Sequence, residues 1–210
     1  DRTAATLVLL GNVGSSFWPS IRQSGVFDGR PDPVDDWSRA TIDHLAARFG
    51  ALALYPFGGP PFLPFLRWAA RAEAVFPSRM GPMIHPRYGL WHAYRGALAF
   101  AERLALSDGG TSGKEVATHP CERCTATPCL TTCPADAVRD GCYDVAACMD
   151  FLVTHPDGAC MHEGCAARRA CPVGDEYVYD PEQARHHMSV FVRHAPRPDR
   201  GGRGRGPESE

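Results

Sequence analysis

"CERCTATPCLTTCP" (121–134) is the stretch on which the reading of this chain turns. It sets out Cys121-x2-Cys124-x4-Cys129-x3-Cys133-Pro134. A second set follows: Cys148, and then "CMHEGCAARRACP" (160–172), which spaces Cys160-x4-Cys165-x5-Cys171-Pro172. All nine cysteines lie between Cys121 and Cys171. A secreted disulfide framework usually carries an even count behind a signal sequence. Here the count is odd, and no charged region followed by an apolar run is visible. The chain therefore reads as a cytoplasmic protein, in a reducing compartment, whose cysteines ligate metal. It begins at Asp1 rather than methionine, which leaves the natural N-terminus open.

Both sets end in Cys-Pro. The bacterial ferredoxin run is C-x2-C-x2-C-x3-C-P, and its fourth cysteine serves the other cluster. This chain places two more residues before the third ligand and keeps the closing Cys-x3-Cys-Pro. Two [4Fe–4S] clusters are the expectation. The crossing rule gives one cluster Cys121, Cys124, Cys129 and the distant Cys171. The other takes Cys148, Cys160, Cys165 and the distant Cys133. The spare thiol is Cys142 or Cys148; Cys142 is preferred, because "DVAACMDFLVTH" (144–155) reads as a helix able to turn Cys148 inward. Zinc is the competing reading, but zinc ribbons favour paired C-x2-C knuckles, and only Cys121/Cys124 forms one.

Outward from the cysteines, "SDGGTSGKE" is a polar, glycine-rich connector. It divides the chain into an α/β portion (1–106), a linker (107–115), a cysteine module (116–194) and a proline-, glycine- and arginine-rich disordered tail (195–210). In the first portion "TLVLLGNVG" (6–14) and "ALALYPF" (51–57) read as buried strands. "SSFWPSIRQS" (15–24) reads as a short helix limited by Pro19. "WSRATIDHLAARF" (37–49) carries apolar residues at helical spacing and stops at Gly50, and "FLRWAARAEAVF" (65–76) reads as a second amphipathic helix. "GPMIHPRYG" looks extended. "LWHAYRGALAFAERLAL" (90–106) fits strand or helix, since period alone does not separate them. "DPEQARHHMSVFVRH" (180–194) reads as a capped helix with His186 and His187 facing solvent. The formal charge of −2 gives no invitation to nucleic acid. The longest apolar runs are far short of a membrane span.

"MIHPRYGLWHAYRG" (83–96) gives the α/β portion its specific signal. It resembles the corrin-binding signature of the cobalamin-processing chaperones, the methylmalonic aciduria and homocystinuria type C family, His-Pro-x-Phe-Gly-Gly-Trp-Phe-Ala-x-Arg-Gly. His85, Pro86, Gly89, Trp91, Ala93, Arg95 and Gly96 match, and Tyr88 conservatively replaces a phenylalanine. "LVLLGNVGSSFWPSI" (7–21) and "DPVD" (32–35) resemble the same family in order. Leu90 and His92 depart from the signature. The cysteine module is similar to the two-cluster modules of epoxyqueuosine reductase and the reductive dehalogenases, with longer internal spacings.

These resemblances imply an α+β chain: a nitroreductase-like cobalamin-binding domain followed by a bacterial-ferredoxin-like module. They imply cobalamin contacts at His85, Pro86, Tyr88, Gly89, Trp91, Tyr94 and Arg95, with the cobalamin bound base-off. Electrons from an external donor, a reductase, ferredoxin or flavodoxin, would reach cobalt by way of the clusters. Reductive decyanation or dealkylation of the cobalamin would follow, and analogy implies a homodimer. Two rivals stand beside this reading. One is a plain electron carrier with an empty N-terminal domain. The other is a cobalamin-dependent reductase of an external substrate, which would need a proton donor that no residue announces.

Overall fold

The ambiguous segment after Leu90 is settled by its partners. In the computed structural model, which describes residues 4–105 and 118–195, it forms a strand between two others. The connector expected at 107–115, and the tail beyond its first residue, lie outside the described residues.

The first half runs β1 (Thr6–Val13), α1 (Trp18–Gln23), α2 (Pro33–Phe49), β2 (Leu52–Leu54), α3 (Phe65–Ala72), β3 (Phe76–Pro77), β4 (Met83–Ile84) and β5 (His92–Phe100). β5 lies at the centre of an antiparallel sheet of order β1-β5-β2, with a register shift at Leu10/Gly11 of β1. Helix α2 covers one face, burying Ile42 and Ala46 against Leu98. It starts four residues before the apolar period suggests, because Pro33 supplies a preset φ at its first turn. It ends where expected, with the Gly50 N–H donating to the Ala46 carbonyl. Helix α3 is shorter than its sequence pattern: Glu73 is fully extended, and the segment continues into the two-residue strand β3.

The second half holds α4 (Pro120–Arg123), β6 (Val138–Arg139), β7 (Cys142–Tyr143), α5 (Val145–Thr154), α6 (Ala159–Glu163), α7 (Ala166–Arg169) and α8 (Pro181–His194). Asp144 caps α5 by accepting from the Ala147 N–H. The cap expected from Asp180 on α8 is absent; instead its backbone N–H donates to Ser15 Oγ of the first half. Nor do both histidines of α8 face solvent. His187 sits against Tyr179, and His186 packs on Trp18 and Phe27. Trp18 Nε1 and Arg22 both reach Glu182 of α8, so this helix docks on α1. No helix among the described residues is long and apolar enough to cross a membrane. The chain is a mixed α and β protein.

The two halves share a core. Met80, Ile84 and Leu90 of the first pack with Val138 and Ala167 of the second, and five cysteines border that cluster. The seam is tightest where Tyr88–Gly89 meets Val173–Gly174, backbone against backbone. A β-carbon on Gly89 would lie 1.8 Å from the Val173 carbonyl oxygen, and one on Gly174 2.5 Å from the Tyr88 oxygen. Arg168 of α7 closes the same seam: its guanidinium donates to the Leu90 carbonyl and lies 4.4 Å from the Trp91 ring centroid and 4.6 Å from that of Tyr179.

The seam and backbone strain can be separated by mutation. Gly141 also has a positive φ, but a β-carbon there meets nothing within 4 Å. Gly141→Ala is expected to cost about 1 kcal/mol for the left-handed backbone alone. Gly89→Ala adds a backbone collision and should cost about 2 kcal/mol more, read as a lower urea midpoint.

Candidate functional site

The nine cysteines sort into two groups of four and one outlier. Cys121 begins α4 as its first residue after Pro120, and its backbone N–H donates to His119 Nδ1. Burial, and then the neighbouring thiols of Cys171, Cys121 and Cys124, push the Cys129 thiol above its ordinary pKa. Burial likewise raises Cys171, with Cys121 and Cys124 as its thiol neighbours. The other group is Cys133, Cys148, Cys160 and Cys165, which line a cavity of about 230 Å³ closed by Tyr143, Phe151 and Phe191 among others. Burial raises Cys148 and Cys165; Cys148 has Cys165, Cys133 and Cys160 as thiol neighbours, and Cys165 has Cys160 and Cys133. Cys142 is exposed and belongs to neither group.

Several donors reach these sulfurs. The Ala137 N–H donates to Cys133 Sγ at 3.4 Å. Backbone N–H groups of Arg168 and Ala167 serve Cys165, that of Val173 serves Cys171, and the Tyr143 hydroxyl serves Cys148. Such donors favour thiolate over thiol and tune a bound metal. Among the described residues, no three histidine, cysteine or carboxylate side chains close on a single point as ligands of one ion.

A second site lies on the first half. A cavity of about 530 Å³ opens between β1, the end of α3 and β5, with Asn12, Glu73, Tyr88, His92 and Tyr94 in its walls. The Tyr94 hydroxyl donates to Glu73 Oε1, and burial followed by that carboxylate raises the phenol's pKa, so it stays protonated. His85 Nδ1 accepts the backbone N–H groups of Arg87 at 3.0 Å and Tyr88 at 3.1 Å. A neutral His85 therefore carries its proton on Nε2, which is 3.7 Å from Glu73 Oε2. Burial first, with Arg87 adding and Glu73 opposing, holds His85 below the usual imidazole range. Burial first, then His85, does the same for His92.

Of the seven residues expected to contact cobalamin, Tyr88 and Tyr94 line this cavity, and His85 joins it through Glu73. Pro86 sits in the turn that the paired backbone bonds of His85 and Gly89 close. The other three serve the fold. Gly89 is in the seam, and Trp91 is 2 % exposed beneath Arg168 and edge-on to Tyr179. Arg95 bonds Asp35 and Ser38 of α2. Glu73, Asn12 and Arg168 went unnoticed in the sequence. Glu73 looked like one more polar position of a helix, and Arg168 acts across 78 residues.

Family models, curated proteins and solved structures were compared with the chain, and none matches.

His187 gives the module a pH signature. It borders the second cysteine group, with Gln183 Nε2 at 3.3 Å, and burial, then His186, Arg168 and Arg95, lowers its pKa to about 4. Its unfolded value is near 6.5, so between the two values the unfolded chain binds a proton that the folded chain refuses. The stability this histidine contributes is complete above about pH 6.5 and declines as pH falls toward 4, by up to about 3 kcal/mol. His187→Phe should flatten that part of the stability–pH curve measured by urea unfolding; an unchanged slope would show that His187 titrates normally.

Proposed function

We propose that this chain is an iron–sulfur redox protein that holds two [4Fe–4S] clusters and delivers electrons to the cobalt of a cobalamin held at its N-terminal cavity. On this reading the first half is a nitroreductase-like cobalamin domain and the second a bacterial-ferredoxin-like module. The chemistry is reductive cobalamin processing, decyanation or dealkylation, with an external reductase, ferredoxin or flavodoxin as donor. The observation that carries the proposal is the sorting of eight cysteines into the two crossed sets, each completed by the Cys-Pro cysteine of the other stretch.

The donor set fits the clusters. The second group's four thiols line one cavity, the first group's four are thiol neighbours, and members of both border the shared apolar core, where burial and N–H donors would set a cluster's potential. A [4Fe–4S] cluster supplies one-electron chemistry there. The chain's own residues contribute the rest. Tyr143 and the Ala137, Ala167 and Val173 amides hold ligand sulfurs as acceptors, and Phe151, Leu152 and Phe191 keep water from the second group. Support for the corrinoid is narrower. The cavity is within the size range of ligand pockets, but cobalamin is larger, so it would be held at the cavity's mouth by Tyr88, Tyr94 and the His85–Glu73 pair. The plain electron carrier remains the second reading, favoured by the commitment of Gly89, Trp91 and Arg95 to packing.

Anaerobic reconstitution should load about eight irons and eight sulfides per chain, with the broad thiolate-to-iron absorption. Cys142→Ser should load fully, and Cys148→Ser should lose about half. Stoichiometric zinc without sulfide, or full loading of Cys148→Ser, overturns the ligand assignment. Titration with hydroxocobalamin then separates the two readings: a base-off spectrum supports the corrinoid site, and no spectral change leaves the electron carrier.

A further inference from the structure

The N-terminal cavity has a polarity that neither the cysteines nor the corrin signature calls for. Among the described residues, Glu73 is the only acidic side chain in its walls. One of its oxygens accepts from Tyr94; the other has His85 Nε2 at 3.7 Å, too far for a hydrogen bond. The carboxylate thus retains an acceptor. A second acceptor stands in the same cavity. Asn12 is 9 % exposed, its Nδ2 donates to the Gly14 carbonyl at 3.2 Å, and its Oδ1 has no partner. The carbonyl at Gly14 fixes which end of the amide is which, since only the NH2 can donate to it.

Around these acceptors stand Tyr88, Tyr94, Leu9, Val13 and Ala72, with His92 and Ser16 as the other polar side chains. Among the described residues, no arginine or lysine lines the cavity. Arg87, the nearest cation to His85, bonds the Tyr177 hydroxyl and lies 5.5 Å from the Tyr88 ring centroid. Arg168, which faces His92, is bound to Leu90. Burial keeps both histidines neutral. A carboxylate beside two phenol rings, with an unpartnered carbonyl nearby, is a cradle for a positively charged group rich in N–H donors.

We propose that this cavity binds an organic cation, an ammonium or amidinium group on a small apolar body, anchored by the Glu73 carboxylate and the Asn12 carbonyl between Tyr88 and Tyr94. Anions of the same size are excluded by the same carboxylate. The inference concerns the recognition chemistry of the cavity and stands whether or not a corrinoid docks at its mouth.

Benzamidine, benzamide and benzoate share one ring and differ in charge, which makes them suitable probes. Isothermal titration of the reconstituted full chain should give saturable one-to-one binding of benzamidine, binding of benzamide about tenfold weaker, and none of benzoate. Glu73→Gln should weaken benzamidine about tenfold or more, and Asn12→Ala about fivefold. Both variants should keep wild-type iron and sulfide content, which reports that the shared core has formed. Benzoate binding as tightly as benzamidine, no saturable benzamidine binding, or unchanged benzamidine affinity in folded Glu73→Gln would each overturn the proposal. Failure of hydroxocobalamin to bind removes the corrinoid reading and leaves this assay unaffected.

Discussion

The contact between Tyr88–Gly89 and Val173–Gly174 holds the molecule's two halves at backbone distance, and both candidate sites hang from it. Val173 follows Cys171 and Pro172, so the carbonyl pressed against Gly89 lies two residues after the last cysteine of the first group. On the other side, Tyr88 walls the N-terminal cavity. Arg168 repeats the connection one step away. It lies in the helix that follows Cys165, and it grips the carbonyl of Leu90 and the ring of Trp91, directly before His92. The seam therefore joins each cysteine group to the cavity through about three residues. Only glycine permits the first link, because no side chain fits between those two backbones.

Electrostatics divides the two sites by sign and by demand. The cysteine groups hold half-buried thiols whose desolvation and mutual proximity favour protonation. A group of this kind is strained toward neutrality until positive charge arrives, and a bound metal then removes the protons outright. The backbone N–H donors at Cys133, Cys165 and Cys171 are already placed for that thiolate form. The N-terminal cavity is the reverse case. Its carboxylate has one phenol as partner, and burial holds its histidines below the usual imidazole range. It presents an acceptor surface before any ligand is present.

The cysteine groups were legible in the sequence because their chemistry is carried by spacing. The two Cys-Pro endings and the crossing rule of the ferredoxin run sorted the thiols except for the choice between Cys142 and Cys148, which rested on the helix expected over 144–155; Cys142 is exposed, and Cys148 lies in α5. The segment after His85 was half legible. An aromatic- and glycine-rich run with two histidines serves a pocket or a packed seam equally well, since both want flat rings and close backbone approach. The alternation of β5 turns His92 and Tyr94 toward the cavity, while Trp91, just before the strand, is buried against Tyr179. Arg95 looked free to meet a ligand until α2 brought Asp35 and Ser38 to it across about sixty residues. Such long-range pairings leave no local signature. The same holds for His187, whose polar helical neighbourhood gave no sign that α8 turns it inward.

A shared core has a thermodynamic consequence. Whatever fills the cysteine groups binds only the folded arrangement, so its binding free energy adds to folding. In a chain of two independent domains that gain would stop at the linker. Here Leu90, Met80 and Ile84 pack in the same cluster as Val138 and Ala167, beside Cys121, Cys129, Cys133, Cys165 and Cys171. Ligation at the cysteines would therefore stabilise the turn that carries His85, Tyr88 and Gly89, and with it the cavity wall. Loss of ligation should loosen that wall first, because the middle of the β1–β5 pairing also packs on α2.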